Sequence, residues 1–262
     1  MSEKITLSCV PETMLQTVYA RAKESKTRGV IRDKKAEEII AELDYDFSKA
    51  DKDSAMSSGV IARTVLLDEM TANWLSQNRG GIVVNIACGL DTRCYRIHGF
   101  SHWYNLDLPE TIAVRAKLLP ENGEISQIAM SATEDWGGKI AETGTPVLVI
   151  IEGLTMYLSE GEVKKIFNVI AKRFNTATVF VETMNPAMAK GFKEKSIEAS
   201  KAKFTWGIKN GKAFCELLSG FDFIEDRSLT EGMGKFVPFY KFLGKIPAVR
   251  SISNKITVLK RN

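Results

Sequence analysis

The chain has 262 residues, of which 44% are hydrophobic and 26% charged, a composition that excludes disordered and fibrous proteins and supplies one substantial core. A net charge of +4, from 36 basic and 32 acidic residues interspersed along the chain, gives no basic stripe of the kind that nucleic acid or an anionic membrane requires. Cys9, Cys88, Cys94 and Cys215 have neither CxxC spacing nor a disulfide framework, and with only 2 histidines a zinc site of usual composition is excluded.

No apolar run reaches the roughly 18 residues of a membrane span, and MSEKITLSCVPETM lacks the apolar stretch of a signal peptide. A reducing, cytoplasmic setting is expected. Helical spacing of Met14, Leu15, Val18, Tyr19 and Ala22 predicts a helix from Glu12 to about Lys26, with Pro11 where a helix can begin. Ala36, Ile39, Ile40 and Leu43 predict a second over Lys34 to Leu43, and Val60, Ile61, Val65, Leu66, Met70, Trp74 and Leu75 a third from about Ser57 to Gln77. These helices precede any strong strand and are expected to cap the ligand-binding edge of the sheet that follows.

Ile82 to Ile86 reads as a buried strand that runs into the small residues Ala87, Cys88 and Gly89 and then into Asp91, Thr92 and Arg93. A helix or loop with Tyr95 and Ile97 leads to a short strand, His102 to Asp107, that ends in an acid. Pro109 to Leu119 predicts a helix and Ile125 to Met130 a weaker strand. PVLVIIEG is too short for a helix and is bounded by Pro146 and Gly153, which predicts a central parallel strand buried on both faces. Ser159 to Arg173 opens with the capping-box pair Ser159 and Glu162, and Thr178 to Glu182 is a further strand. The Lys- and Glu-rich residues 183–210 read as solvated helix or a mobile insert. Gly211 to Leu218 is helical, and the late strands Phe221 to Ile224 and Lys255 to Leu259 are suited to pair at an edge. The alternation predicts an α/β fold with a mainly parallel sheet.

In such sheets ligands sit beyond the carboxyl ends of the strands, which directs the search for function to IVVNIACGLDTRCYR. Asp107 stands 18 residues after Gly89, where a carboxylate either accepts the hydroxyl hydrogens of a cofactor ribose or caps the helix at Pro109. A dinucleotide fingerprint requires G-x-G-x-x-G, but A-C-G-L-D-T puts Ala87 at the first glycine and Thr92 at the third, and Asp91 would repel a pyrophosphate. A cationic ligand suits Asp91 better, and S-adenosylmethionine carries both an ammonium and a sulfonium. Glu152, ending an apolar strand, is a charge that needs a cationic partner or a ligand.

The blocks VVNIACGLDTRCYRI, YNLDLPETIAVRAKLL and VLVIIEGLTMYLSEGEV, with ETMLQTVYARAKES and GVIARTVLLDEM upstream, resemble the leucine carboxyl methyltransferase family, including its polyketide O-methyltransferase-like members, in order over residues 10–175. The resemblance implies a class I methyltransferase, a Rossmann-like seven-stranded sheet, mostly parallel with an antiparallel last strand. It implies a helical cap over residues 1–80 and an S-adenosylmethionine-binding domain over residues 81–262, with a substrate insert at about 183–210. The implied activity is S-adenosylmethionine-dependent O-methyl transfer to a carboxylate or hydroxyl of a small-molecule acceptor, with no nucleic acid, membrane or metal involved and with a homodimer as the expected assembly. The alternatives are a non-catalytic module that keeps the cofactor fold and a nicotinamide-dependent oxidoreductase.

Carried over by residue, Arg63 matches the arginine that holds the methionine carboxylate; a surface or interhelix salt bridge is its other reading. Ala87, Cys88 and Gly89 line the cofactor through backbone, with Asp91 in the turn. Asp107, with Leu108 beside it, matches the ribose site, and Ser131 and Ala132 fall where the family contacts adenine. Glu152 is placed near the methionine ammonium and the methyl-transfer centre, Tyr157 beside the same pocket, and Tyr19 and Arg21 toward the substrate. If the acceptor needs a base, Glu152, Tyr157, His98 and His102 are available, and catalysis is placed on Glu152 and Tyr157. Ala87 stands where the family usually has glycine; ordinary strand dihedrals there lead to an expectation of reduced clearance rather than lost binding.

Overall fold

Seven strands make one sheet in the order β3-β2-β1-β4-β5-β7-β6 in a computed structural model that describes residues 12–141, 144–191 and 204–262. They are β1 (Gly81–Ile86), β2 (Phe100–Asp107), β3 (Ile125–Ala129), β4 (Val147–Ile151), β5 (Ala177–Thr183), β6 (Phe221–Ser228) and β7 (Lys255–Arg261). The first five are parallel, and β7 runs antiparallel between β5 and β6. Every residue of β1 and β4 is buried, as unbroken apolar runs covered on both faces should be. β6 is the edge strand, and its exposed Asp222 and Glu225 discourage further pairing there. Strand order reverses between β1 and β4, so a crevice opens at their carboxyl ends.

Among the described residues four helices precede the sheet: α1 (Glu12–Lys26), α2 (Lys34–Glu42), α3 (Ser48–Lys52) and α4 (Ser54–Gln77). The sequence pattern leaves α3 unmarked and starts α4 three residues late, where Asp53 caps the helix by accepting from the Met56 N–H. Between the later strands lie α5 (Pro109–Leu118) and α6 (Glu160–Arg173), the latter entered through the expected capping box of Ser159 and Glu162. Then come α7 (Pro186–Gly191), α8 (Gly211–Leu217) and α9 (Leu229–Met233). Of the expected insert, residues 192–203 lie outside the described residues.

Two connections depart from the usual βαβ unit among the described residues: β3 to β4 holds only the 3-10 turn Trp136–Lys139, and the other lies beside the crevice. Between β1 and β2 there is only a loop and the 3-10 turn Arg93–Tyr95, with no α-helix to cover the sheet. That face is covered instead by α4, whose Leu66, Leu67, Met70 and Leu75 share a core with Val83, Trp103, Leu148, Ile150 and Ile256. α4 is thereby a layer of the sheet. α1 has a different role, crossing the strand ends with Met14, Leu15 and Val18 packed against Leu90. No helix among the described residues is long and apolar enough to cross a membrane.

Candidate active site

At the carboxyl ends of β1, β2 and β4 lies a cavity of about 500 Å³, within the range of small-molecule sites. Its floor is the loop after β1. Ala87 has φ of 54° and Gly89 of 48°, so two residues in three adopt the left-handed region. Ala87 therefore does not have the ordinary strand dihedrals expected from sequence; the loop must reverse within two residues of the strand end, and the alanine pays about 1 kcal/mol in crowding against its own backbone.

The loop spends its backbone donors on the protein. Cys88 N–H donates to the Leu106 carbonyl and Gly89 N–H to Asp107 Oδ2 at 2.8 Å. Its carbonyls at Gly89 and Asp91 accept from Arg115 Nη1 at 2.9 and 2.7 Å. Arg115, fully buried on α5, is thus the staple of the loop. Cys88 lines the cavity, but burial pushes its thiol well above the ordinary range, which leaves it unreactive. With the Cys88 and Gly89 donors engaged and no α-helix following, the loop lacks the helix N-terminus that holds a pyrophosphate in dinucleotide folds.

Asp107 lines the same cavity. Oδ1 accepts from the Leu108 N–H at 2.7 Å and Oδ2 from Gly89, with the Thr111 hydroxyl as a third donor, and the carboxylate keeps lone-pair capacity for a ribose hydroxyl. Burial raises its pKa and those two backbone donors oppose the rise. Leu108 and Thr111 line the wall next to it.

Glu152 is held from two sides. Arg63 Nε donates to Oε1 at 2.7 Å and Arg93 Nη2 to Oε2 at 3.0 Å. Burial alone would favour the neutral acid, but Arg93 and Arg63 reverse the balance and hold the carboxyl below its usual range. A carboxylate so stabilised is a weak proton acceptor, which argues against the base role considered from sequence. Asp91 is treated the same way: burial opposes ionisation, and Arg93 and Arg96 overcome it and hold the acid well below its ordinary value. Arg93 is 1% exposed and also binds Asp68 at 2.7 Å.

Three groups escaped the sequence reading. Glu182, 1% exposed at the end of β5, accepts from Gly153 N–H at 2.9 Å, Asn254 Nδ2 at 3.2 Å and Arg63 Nη1 at 3.4 Å. Its signal was present, since an acid ending the apolar run VFVE parallels Glu152 after VLVII. Arg93 and Arg115 carry no such signal, being lone arginines between elements and on a helix. Arg21 lines the cavity with Nε on Asp33 at 3.0 Å and Nη2 on the Leu90 carbonyl at 2.6 Å. Tyr157 lines it too, beside Phe204.

Other expected residues fall elsewhere. Tyr19 stacks on Phe47 at 4.5 Å and donates to Asp51 on the outer side of α1, away from the cavity. Ser131 and Ala132 do not line the cavity: the Ser131 N–H is capped by Glu134 and Ala132 packs on the core. The cavity is also without His98 and His102, the latter paired with Ser126 across the β2-β3 register.

The cavity sits at the switch point of a doubly wound sheet, where such folds bind their ligands, and the relatives of the chain identify it as an S-adenosylmethionine-dependent methyltransferase. A family model described as leucine carboxyl methyltransferase matches residues 14–171, and the chain belongs to that family. It is 32% identical to the tetracenomycin polyketide synthesis O-methyltransferase TcmP of Streptomyces glaucescens over 95% of this chain and 96% of that one. It is 30% identical to the S-adenosyl-L-methionine-dependent methyltransferase dpfgK of Gibberella zeae over 67% of this chain and 65% of that one. Among solved structures, a DUF574 family protein from Streptomyces avermitilis has the same fold, with a TM-score of 0.60 and 10% identity over 93% of this chain and 97% of that one.

Proposed function

We propose that the protein transfers the methyl group of S-adenosylmethionine to an already ionised oxygen of a small acceptor, a carboxylate or an acidic hydroxyl. One observation carries this reading: the carboxylates Glu152 and Asp91 are clamped by guanidinium groups and stay ionised, and no histidine among the described residues lines the cavity. A pocket in which Glu152 and Asp91 are held as weak proton acceptors suits a nucleophile that needs no base. The O-methyltransferase TcmP, related over nearly its full length, supports oxygen as the acceptor atom.

The donor set fits the cofactor. S-adenosylmethionine, when bound, supplies the methyl group and the sulfonium that activates it. Asp107 takes the ribose with the acceptor capacity left by Gly89, Leu108 and Thr111. Arg63 uses two of the five N–H donors of a guanidinium on Glu152 and Glu182, and offers the others to the methionine carboxylate. Glu152 and Asp91 meet the ammonium as fixed countercharges. Tyr157, with Met156, Met184 and Phe204, keeps the transfer path dry and holds the acceptor in line with the methyl carbon.

Calorimetry with S-adenosylhomocysteine tests the site: Asp107→Ala and Arg63→Ala should each weaken binding about tenfold or more, with circular dichroism unchanged. Unchanged affinity in both would remove the assigned site. An aliphatic alcohol methylated as fast as a carboxylate would remove the ionised acceptor.

A further inference from the structure

A smaller cavity of about 90 Å³ opens off the main one and shares Thr13, Thr17, Arg63, Tyr157, Glu182 and Asn254 with it. It lies where α1 crosses α4. Met56, Gly59, Val60 and Arg63, at i, i+3, i+4 and i+7 along α4, give one wall, and Thr13, Gln16 and Thr17 of α1 face them. Gly59 leaves this wall open: a Cβ built there meets nothing within 4 Å. Glycine inside a helix costs about 1 kcal/mol relative to alanine, so a vacancy at this position is maintained against helix propensity.

Gln16 lines this space and is 2% exposed, yet its Oε1 is buried with no hydrogen-bond partner among the described residues. An unsatisfied buried amide oxygen costs about 1–3 kcal/mol, and native structures keep few. Glu182 is itself an acceptor and cannot serve another oxygen, and the nearby Thr17 hydroxyl donates instead to the Met14 carbonyl. Gln16 lines the cavity, so a donor placed there would complete it.

We propose that this side cavity is an acceptor subsite, in which Gln16 hydrogen-bonds a hydroxyl that the acceptor carries beside the oxygen to be methylated. The inference rests on the methyl-transfer reading above and names its substrate class, a hydroxylated acid or polyphenol. A hydroxyl both donates and accepts, so it satisfies the amide in either orientation. About 90 Å³ holds roughly three water-sized groups, enough for a hydroxyl and the ring edge or methylene that bears it. Met56, Val60 and Leu229 give that carbon portion an apolar wall.

The test uses the protein saturated with S-adenosylhomocysteine and 2-naphthoate, alone and with one hydroxyl at each ring position in turn, titrated by calorimetry. At least one hydroxylated member should bind about tenfold more tightly than the parent. That advantage should vanish in Gln16→Leu, which removes the amide, and in Gly59→Leu, which fills the space without touching Gln16. S-adenosylhomocysteine affinity should be kept in both. Should Gln16→Leu fail to fold, Gly59→Leu carries the test. The proposal is overturned if no hydroxylated member gains, or if the gain survives in either variant, as it would were the cavity only a water site. Failure of the wild type to bind S-adenosylhomocysteine would overturn the methyltransferase site, and the subsite with it.

Discussion

Ala87 is where a single dihedral decides more than residue chemistry. At φ of 54° the methyl group crowds its own backbone by about 1–2 kcal/mol, while glycine would return about 0.4–1 kcal/mol through a freer unfolded chain. The first effect wins, so Ala87→Gly should stabilise the protein by about 0.5 kcal/mol or more in urea denaturation. No gain would mean that the loop has relaxed around the alanine. The strain could not be read from the sequence, because alanine is at home in a strand and only closure of the loop onto Asp107 and Arg115 forces the turn. Glu152 was legible as a charge in need of a partner; which partner was not, since Arg93 lies 59 positions away and meets it only through the fold.

Among elements, periodicity was informative where burial is one-sided or complete. α1, α2, α6, β1 and β4 fall within a residue or two of their predicted bounds. The crossover between β1 and β2 was ambiguous for a physical reason: its apolar Cys94 and Ile97 pack under α4 instead of forming a helix of their own. α4 carries opposite demands at two positions one turn apart, Gly59 and Ala62. At Gly232 of α9 an added Cβ would stand 2.0 Å from the Ala62 carbonyl oxygen, whereas at Gly59 it would meet nothing. Gly232→Ala should therefore cost about 2 kcal/mol or more, because helix backbone must shift, and Gly59→Ala should add up to about 1 kcal/mol. Similar melting temperatures for the two would contradict the close approach of α9 to α4.

For the whole molecule, the buried charges set a pH limit. Arg21, Arg63, Arg93 and Arg96 bind Asp33, Asp68, Asp91, Glu152 and Glu182 in one connected network. Asp33, Asp91 and Glu152 have folded pKa values below their unfolded ones, despite burial, because of these arginines. Such groups contribute stability that is fully present above the unfolded values, about 3.9 for Asp and 4.3 for Glu, and is lost as pH falls through the folded ones. Unfolding free energy should be nearly flat from pH 7 to about 5 and fall steeply below about 4. Asp107 shifts the other way, so cofactor affinity should weaken on acidification before the fold does. Coincident loss of both would show that the network is not what resists acid.

The helix α4 joins ends of the chain that are made far apart in time. Its apolar face is completed by Leu229, Ile256 and Val258, so a ribosome releases it long before the strand that shelters it exists. Nascent α4 meets Val83, Trp103, Leu148 and Ile150 of the earlier strands first, and its cover is completed only when β7 has been synthesised.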